Sequence, residues 1–208
     1  MTNPAPHRPP RPDGWAWPGL CVLLGLASSG VWLSGSSAAL AWHADSWLRQ
    51  PWVLWTASLA HLSGAHLLAN LAALAVLGVL GSTLRAGKVA AAALLLAWPL
   101  GTLALWWWPQ VGGYSGMSGL LNAMAGVLWA HTALGAAARP ISFVIFAALA
   151  LKLLSEHAWS QPIAFDPNWG FNVVYAAHLA GALAGGACGL LCMLAWRPAA
   201  AAAAAVPD

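Results

Sequence analysis

The stretch VAAAALLLAWPLGTLALWWWPQVGGYSGMSGLLNAMAGVLWAHTALGAAA, residues 89–138, runs for 50 residues without a formal charge. One helical crossing of a bilayer takes roughly 20 apolar residues, so this stretch holds two crossings and a turn. The turn is legible inside it. WWWPQVGGYSG (106–116) joins a tryptophan cluster of interfacial type, a proline that disfavours helix continuation and a group of glycines.

The rest of the chain repeats the pattern. Only 8 Lys+Arg and 5 Asp+Glu occur in 208 residues and 61% are hydrophobic, against about 25% charged in ordinary soluble domains. That excludes a water-soluble fold. Further charge-free gaps lie between Asp13 and Asp45, Arg49 and Arg85, and Asp166 and Arg197. The first predicted span covers about Trp15 to Ser36, and the second lies within Pro51 to Leu84. Residues 89–138 supply the third and fourth, Pro140 to about Ser155 the fifth, and about Asn172 to Trp196 the sixth. The fold class is therefore an all-α membrane protein, a six-helix bundle over residues 15–196. Residues 1–14, proline-rich with two arginines, are expected to be disordered. The alanine-rich tail 197–208 is left unassigned. A cleaved signal peptide is the competing reading of the first span, although its apolar run exceeds the roughly 7–15 residues of a signal core.

Net charge is +3, but the basic residues are scattered singly and form no stripe for nucleic acid. They serve instead to orient the chain, because cytoplasmic loops carry the excess of Lys and Arg. With the N-terminus inside, Arg8, Arg11, Arg85, Lys88, Arg139 and Arg197 are cytoplasmic, and only Arg49 and Lys152 lie toward the outside. Both termini are then cytoplasmic, and Asp45, Glu156 and Asp166 are external. Cys21, Cys188 and Cys192 fall in apolar runs, where free cysteine behaves as a small hydrophobe.

Polar residues inside membrane spans are costly and tend to be functional. His61, His66 and Asn70 open the second span, Ser115 and Ser118 the fourth with Asn122 a turn later, and His178 the sixth. Even-numbered spans all begin on the outer side in this topology, so three distant segments deliver these groups to one depth. The chemistry suggested is nucleophilic. A serine hydroxyl needs a neighbouring base, most often His, and donors for an oxyanion. Ser118 is assigned as nucleophile and His178 as base. His66 and Asn70, spaced i, i+4 on one helix face, are assigned as oxyanion donors together with the backbone at Ser118. His61 is read as pointing away from His66 and shaping the entrance. Gly116, Gly119 and Asn122 shape the site from the fourth span. Ala177, Gly181, Gly185 and Gly189, recurring every four residues, form a smooth stripe that lets the sixth span approach the fourth.

Ser115 is the alternative nucleophile, since Gly-x-Ser-Gly occurs twice in overlap. Lys152 and Glu156 are read as an i, i+4 ion pair anchoring the fifth span. A haem or metal carrier built on His61, His66, His131 and His178 fits poorly, because His131 belongs at the inner end of its span. No metal ligand set is assigned. A transporter lacks the repeated broken spans that mark a substrate site.

Taken together, His61-x4-His66-x3-Asn70, Gly116-Met117-Ser118-Gly119 with Gly126, and Ala177-His178-Leu179-Ala180-Gly181 resemble the rhomboid family of intramembrane serine proteases. The resemblance spans about residues 15–196. It implies a six-helix fold with a Ser-His dyad in a water-filled cavity, cutting membrane proteins near their transmembrane segments without a metal or other cofactor. The short first outer loop, PWVLWTASLAHLSGAHLLAN (51–70), Tyr114-x-Gly116-x-Ser118-Gly119 and LKLLSEH (151–157) are most similar to the rhombosortase branch. That branch implies substrates with C-terminal GlyGly-CTERM tails and a Gram-negative inner membrane, the site facing the periplasm. The chain departs from the family in two places. Asn122 stands where many rhomboids have an aromatic residue packed on the catalytic His, and the first outer loop lacks a Trp-Arg pair. Gating is accordingly expected from the last outer loop, with Trp159, Phe165 and Trp169 over the cavity. A catalytically silent rhomboid-like protein that binds transmembrane clients is the alternative reading.

Overall fold

The computed structural model describes residues 12–134 and 138–196. Six long helices organise the described residues: α1 (Ala16–Leu33), α2 (Gly64–Thr83), α3 (Lys88–Leu103), α4 (Ser118–Ala133), α5 (Arg139–Glu156) and α6 (Tyr175–Ala195). Their limits have local causes. Ser63 caps α2, its hydroxyl accepting from the His66 amide at 3.1 Å. Arg85 and His157 adopt positive φ just after α2 and at the end of α5, where the chain must leave the helical path. Pro140 sits in the first turn of α5, where its missing N–H costs nothing. Pro12–Trp15 form a 3-10 turn into α1. Of the segment 1–14 expected to be disordered, residues 1–11 lie outside the described residues, as does the unassigned tail 197–208.

Four helices are long and apolar enough to cross a membrane: Ala16–Leu33, Gly64–Thr83, Lys88–Trp107 and Tyr175–Ala195. The other two depart for visible reasons. With 16 residues, α4 reaches only about 24 Å, while α5 carries Arg139, Lys152 and Glu156. Polarity is distributed inside out. Leu23 and Leu26 on α1, Leu68, Val76 and Val79 on α2, and Phe143, Val144 and Leu151 on α5 are exposed, whereas Ser28, Asn70, Asn122, Thr132 and His178 are buried. Water would penalise such a surface, and hydrocarbon would not.

The core is centred on α4, which packs against α2, α3, α5 and α6. The expected small-residue stripe makes the closest of these contacts. A Cβ on Gly181 would overlap the Gly119 carbonyl and one on Gly185 the Ala123 carbonyl, so neither position has room for a side chain. On the far side of the bundle, the Trp17 indole N–H of α1 donates to the Leu77 carbonyl of α2 at 3.2 Å.

Two short antiparallel pairings finish the end of the bundle at which α2, α4 and α6 begin. Strand β1 (Trp42–His43) pairs with β2 (Gly113–Tyr114), tying the segment after α1 to the loop before α4. A second apolar cluster of Trp42, Val53, Leu54, Ala57, Leu105, Val111, Tyr114, Ala176 and Ala177 backs this pairing. Strands β3 (Ala164–Asp166) and β4 (Phe171–Val173) form a hairpin between α5 and α6.

Candidate functional site

The loop before α4 is built to hold an unusual shape. Gly116 has φ +125°, a conformation L side chains rarely adopt, and a Cβ there would run into the His66 ring. Its amide donates to the Ala57 carbonyl at 2.9 Å. The Tyr114 hydroxyl donates to the Gly116 carbonyl at 2.5 Å and accepts from the Gly119 amide at 3.2 Å. One phenol thus stitches both sides of Ser118. Burial pushes that phenol up to about 12, outweighing the Gly119 and Ser58 contacts that lower it, so it remains a donor. The Gly119 N–H, next along α4 from the Ser118 backbone assigned to the oxyanion, is taken by Tyr114.

Ser118 is the first residue of α4, and it lines a cavity of about 920 Å³ shared by α2, α4, α5 and α6. The polar end of this cavity is lined by His66, Asn70, Ser115, Ser118, Asn122 and His178, together with Lys152 and Glu156. Most of its remainder is apolar, with Leu77, Leu80, Leu121, Ile145 and Leu149 leading down between α2 and α5. Polar groups gathered at one end of an apolar cleft are the usual form of a site that binds an extended apolar ligand.

Several of these groups are buried without a partner. The His178 Nε2, His66 Nδ1 and Asn70 Nδ2 atoms make no hydrogen bond. Ser118 and His178 therefore face one cavity without being bonded to each other, a separation common in catalytic pairs before substrate is bound. Ser115 lines the same cavity from the loop after β2. Asn122 turns inward along its own helix, its Nδ2 donating to the Ser118 carbonyl at 2.8 Å.

The other ring nitrogen of His178 is engaged. Its Nδ1 lies 2.9 Å from Glu156 Oε2 and 3.1 Å from Lys152 Nζ. Lys152 Nζ also lies 2.5 Å from Glu156 Oε1. The expected ion pair on α5 is present, but the second carboxylate oxygen reaches across to α6. The Tyr175 ring packs edge-on at 5.8 Å, so His178 is oriented by α5 and its own helix rather than by α4. Sequence reasoning missed this link. The one signal for it was a pair of charges at the end of an otherwise apolar span.

His61 requires a correction. Its ring packs edge-on against His66 at 5.1 Å instead of pointing elsewhere, because it precedes the Ser63 cap and so lies outside helix α2. It is not among the cavity-lining residues. Burial holds its imidazole below the ordinary histidine range, although the Leu59 carbonyl opposes this. His61 is thus a neutral support behind His66.

The last loop is also partly as expected. Trp169 and Phe171 line the cavity and lie 5.8 and 5.1 Å from the His66 ring. Trp159 instead packs on His157, and Phe165 is 64% exposed, so neither covers the cavity. No feature of the sequence marks Phe171 for this place. His131 sits in the last turn of α4 with a ring nitrogen 3.1 Å from the Leu84 carbonyl, at the opposite end of the bundle from His61, His66 and His178. Among the described residues, no three His, Cys, Asp or Glu side chains gather in a way that could hold a metal ion.

A family model described as Rhomboid domain matches residues 48–195. No curated protein matches the chain.

Proposed function

The chain belongs to the rhomboid family, integral multi-pass membrane proteins that are generally serine intramembrane proteases acting on transmembrane substrates, and from that premise we propose that it is an intramembrane endopeptidase using Ser118 and His178 as a catalytic dyad. The observation that carries the reading is that Ser118, His178, His66 and Asn70, from three helices, line the polar end of one cavity, where three of them present unpartnered buried nitrogens.

The chemistry follows from those atoms. Ser118 Oγ attacks a substrate carbonyl carbon while His178 Nε2 takes the hydroxyl proton, and the carbonyl π pair moves to oxygen. His66 and Asn70 donate to that oxyanion, a contribution of roughly 3–4 kcal/mol for a well-placed donor. The C–N bond then breaks as His178 returns its proton to the leaving amine. Water, activated by the same imidazole, releases the acyl group and regenerates the Ser118 hydroxyl. The apolar end of the cavity, between α2 and α5, takes the substrate's membrane segment.

All six helices cross the bilayer in this reading, with both termini cytoplasmic and the site facing the periplasm of a bacterial inner membrane. The substrates are proteins with C-terminal GlyGly-CTERM tails, as in the rhombosortase branch. Motifs at Tyr114 to Gly119 and at LKLLSEH (151–157) support that branch. The test is processing of a periplasmic reporter carrying a GlyGly-CTERM tail, co-expressed with wild type, Ser115→Ala, Ser118→Ala or His178→Ala protein. Processing is expected to fail only with Ser118→Ala and His178→Ala. Loss with Ser115→Ala alone would move the nucleophile. Cleavage of a general rhomboid substrate but not this tail would remove the branch and keep the protease. Cleavage of neither would leave a silent client-binding protein.

A further inference from the structure

We infer that Glu156 is a positioning residue for His178, converting the dyad into a Ser118–His178–Glu156 relay in which Lys152 holds the carboxylate. The inference rests on the protease reading above. It concerns which tautomer His178 adopts.

A neutral imidazole carries one proton, and only the tautomer protonated at Nδ1 leaves Nε2 able to accept from Ser118. Two neighbours compete to set it. Glu156 Oε2, at 2.9 Å, can only accept and so favours the proton on Nδ1. Lys152 Nζ, at 3.1 Å, can only donate and would favour the other tautomer. The arrangement resolves the conflict, because Lys152 Nζ is bonded to the other oxygen of the same carboxylate, Oε1. Glu156 is the more enclosed partner, its side chain 16% exposed against 44% for Lys152. The lysine can therefore spend its donors on the carboxylate and on solvent, while the carboxylate is held against the ring. When Nε2 takes the Ser118 proton, the Nδ1 proton stays in place and the resulting imidazolium faces a carboxylate at hydrogen-bond distance. Among the described residues, no other carboxylate lies at hydrogen-bond distance from the His178 ring. Asn122 is committed to the Ser118 carbonyl, and Tyr175 touches the ring by its edge.

The inference is tested with purified full-length wild type and Glu156→Gln, Glu156→Ala, Lys152→Gln and Ser118→Ala proteins. Cleavage of a transmembrane peptide, covalent labelling by a fluorophosphonate and melting temperature are each measured. Expected are wild-type labelling lost in Ser118→Ala, a kcat at least tenfold lower in Glu156→Gln with KM within about twofold, and a smaller loss in Lys152→Gln. Formate should restore part of the Glu156→Ala rate, since a small carboxylate can reach His178 through the open cavity. Active wild type with kcat unchanged in both Glu156 variants would overturn the inference and leave the protease intact. So would losses that merely follow melting temperature, are equal for Lys152→Gln and do not respond to formate, which would make the pair a brace for α5. Wild type that neither cleaves nor labels would overturn the inference and the protease reading together.

Discussion

Tyr114 shows how much of the site depends on a residue outside the proposed dyad. Its hydroxyl joins the Gly116 carbonyl to the Gly119 amide, on either side of Ser118. Tyr114→Phe keeps the ring among Trp42, Val53 and Ala177 but strands both backbone groups, at a cost of about 1–3 kcal/mol. The melting temperature should fall by several degrees and kcat by about tenfold, as the serine loses its exact placement. Equal kcat in wild type and variant would show that the loop holds its shape without the phenol. Gly116 is the stricter position. Gly116→Ala forces a methyl group into the His66 ring at a strained φ, so cleavage should be lost. Gly112→Ala, where a Cβ meets nothing within 4 Å, should cleave substrate at the wild-type rate. A cleavage assay on the pair separates the local clash from a general intolerance of the loop.

At the level of helices and strands, the α4–α6 contact should be the least tolerant of added bulk. Gly181→Val and Gly185→Val place side chains against the backbone of Gly119 and Ala123, so both should abolish folding or lower stability by more than 3 kcal/mol, about the upper range for overpacking. Retained expression and melting temperature would mean that α6 can move away from α4. The hairpin makes a different prediction. Trp169→Ala and Phe171→Ala, which open the face over His66, should change kcat/KM at least fivefold, whereas Trp159→Ala should stay within twofold, since its ring packs on His157. These elements also show what a sequence can disclose. Charge-free runs and the four-residue glycine stripe expose the helices and their closest seam, because both are properties of one chain segment read along its axis. The placement of Trp169 but not Trp159 over the cavity depends on the β3–β4 register. The Glu156–His178 contact depends on how far α5 is rotated toward α6. Neither is a local property. His61 was misdirected for a simpler reason, as the helix that would have aimed it begins only after Ser63.

For the whole molecule, the topology turns on whether α4 and α5 cross the bilayer or lie within it. Four helices meet the length and hydropathy of a crossing. Helix α4, about 24 Å long, falls short of a hydrocarbon core of about 30 Å, and α5 carries Lys152 and Glu156 near one end. The surroundings of both helices are compatible with a crossing. Helix α4 is enclosed by α2, α3, α5 and α6, so its ends need not contact lipid. Charges at the end of α5 face the polar part of the cavity rather than the bilayer. Crossing by both helices puts the joint at Ala138 on the side of Arg139, and Arg85 and Lys88 then lie on that same side. Alkaline phosphatase fused after Gln50, Gly112 or Pro162 should be active, and fused after Ala86 or Ala138 inactive, because the enzyme folds only outside the cytoplasm. An active fusion at Ala138 with the other four as expected would mean that α4 and α5 turn back without crossing. The opposite pattern at all five positions would invert the molecule and place Ser118 and His178 at the cytoplasmic face, where a periplasmic sorting tail has no access to them.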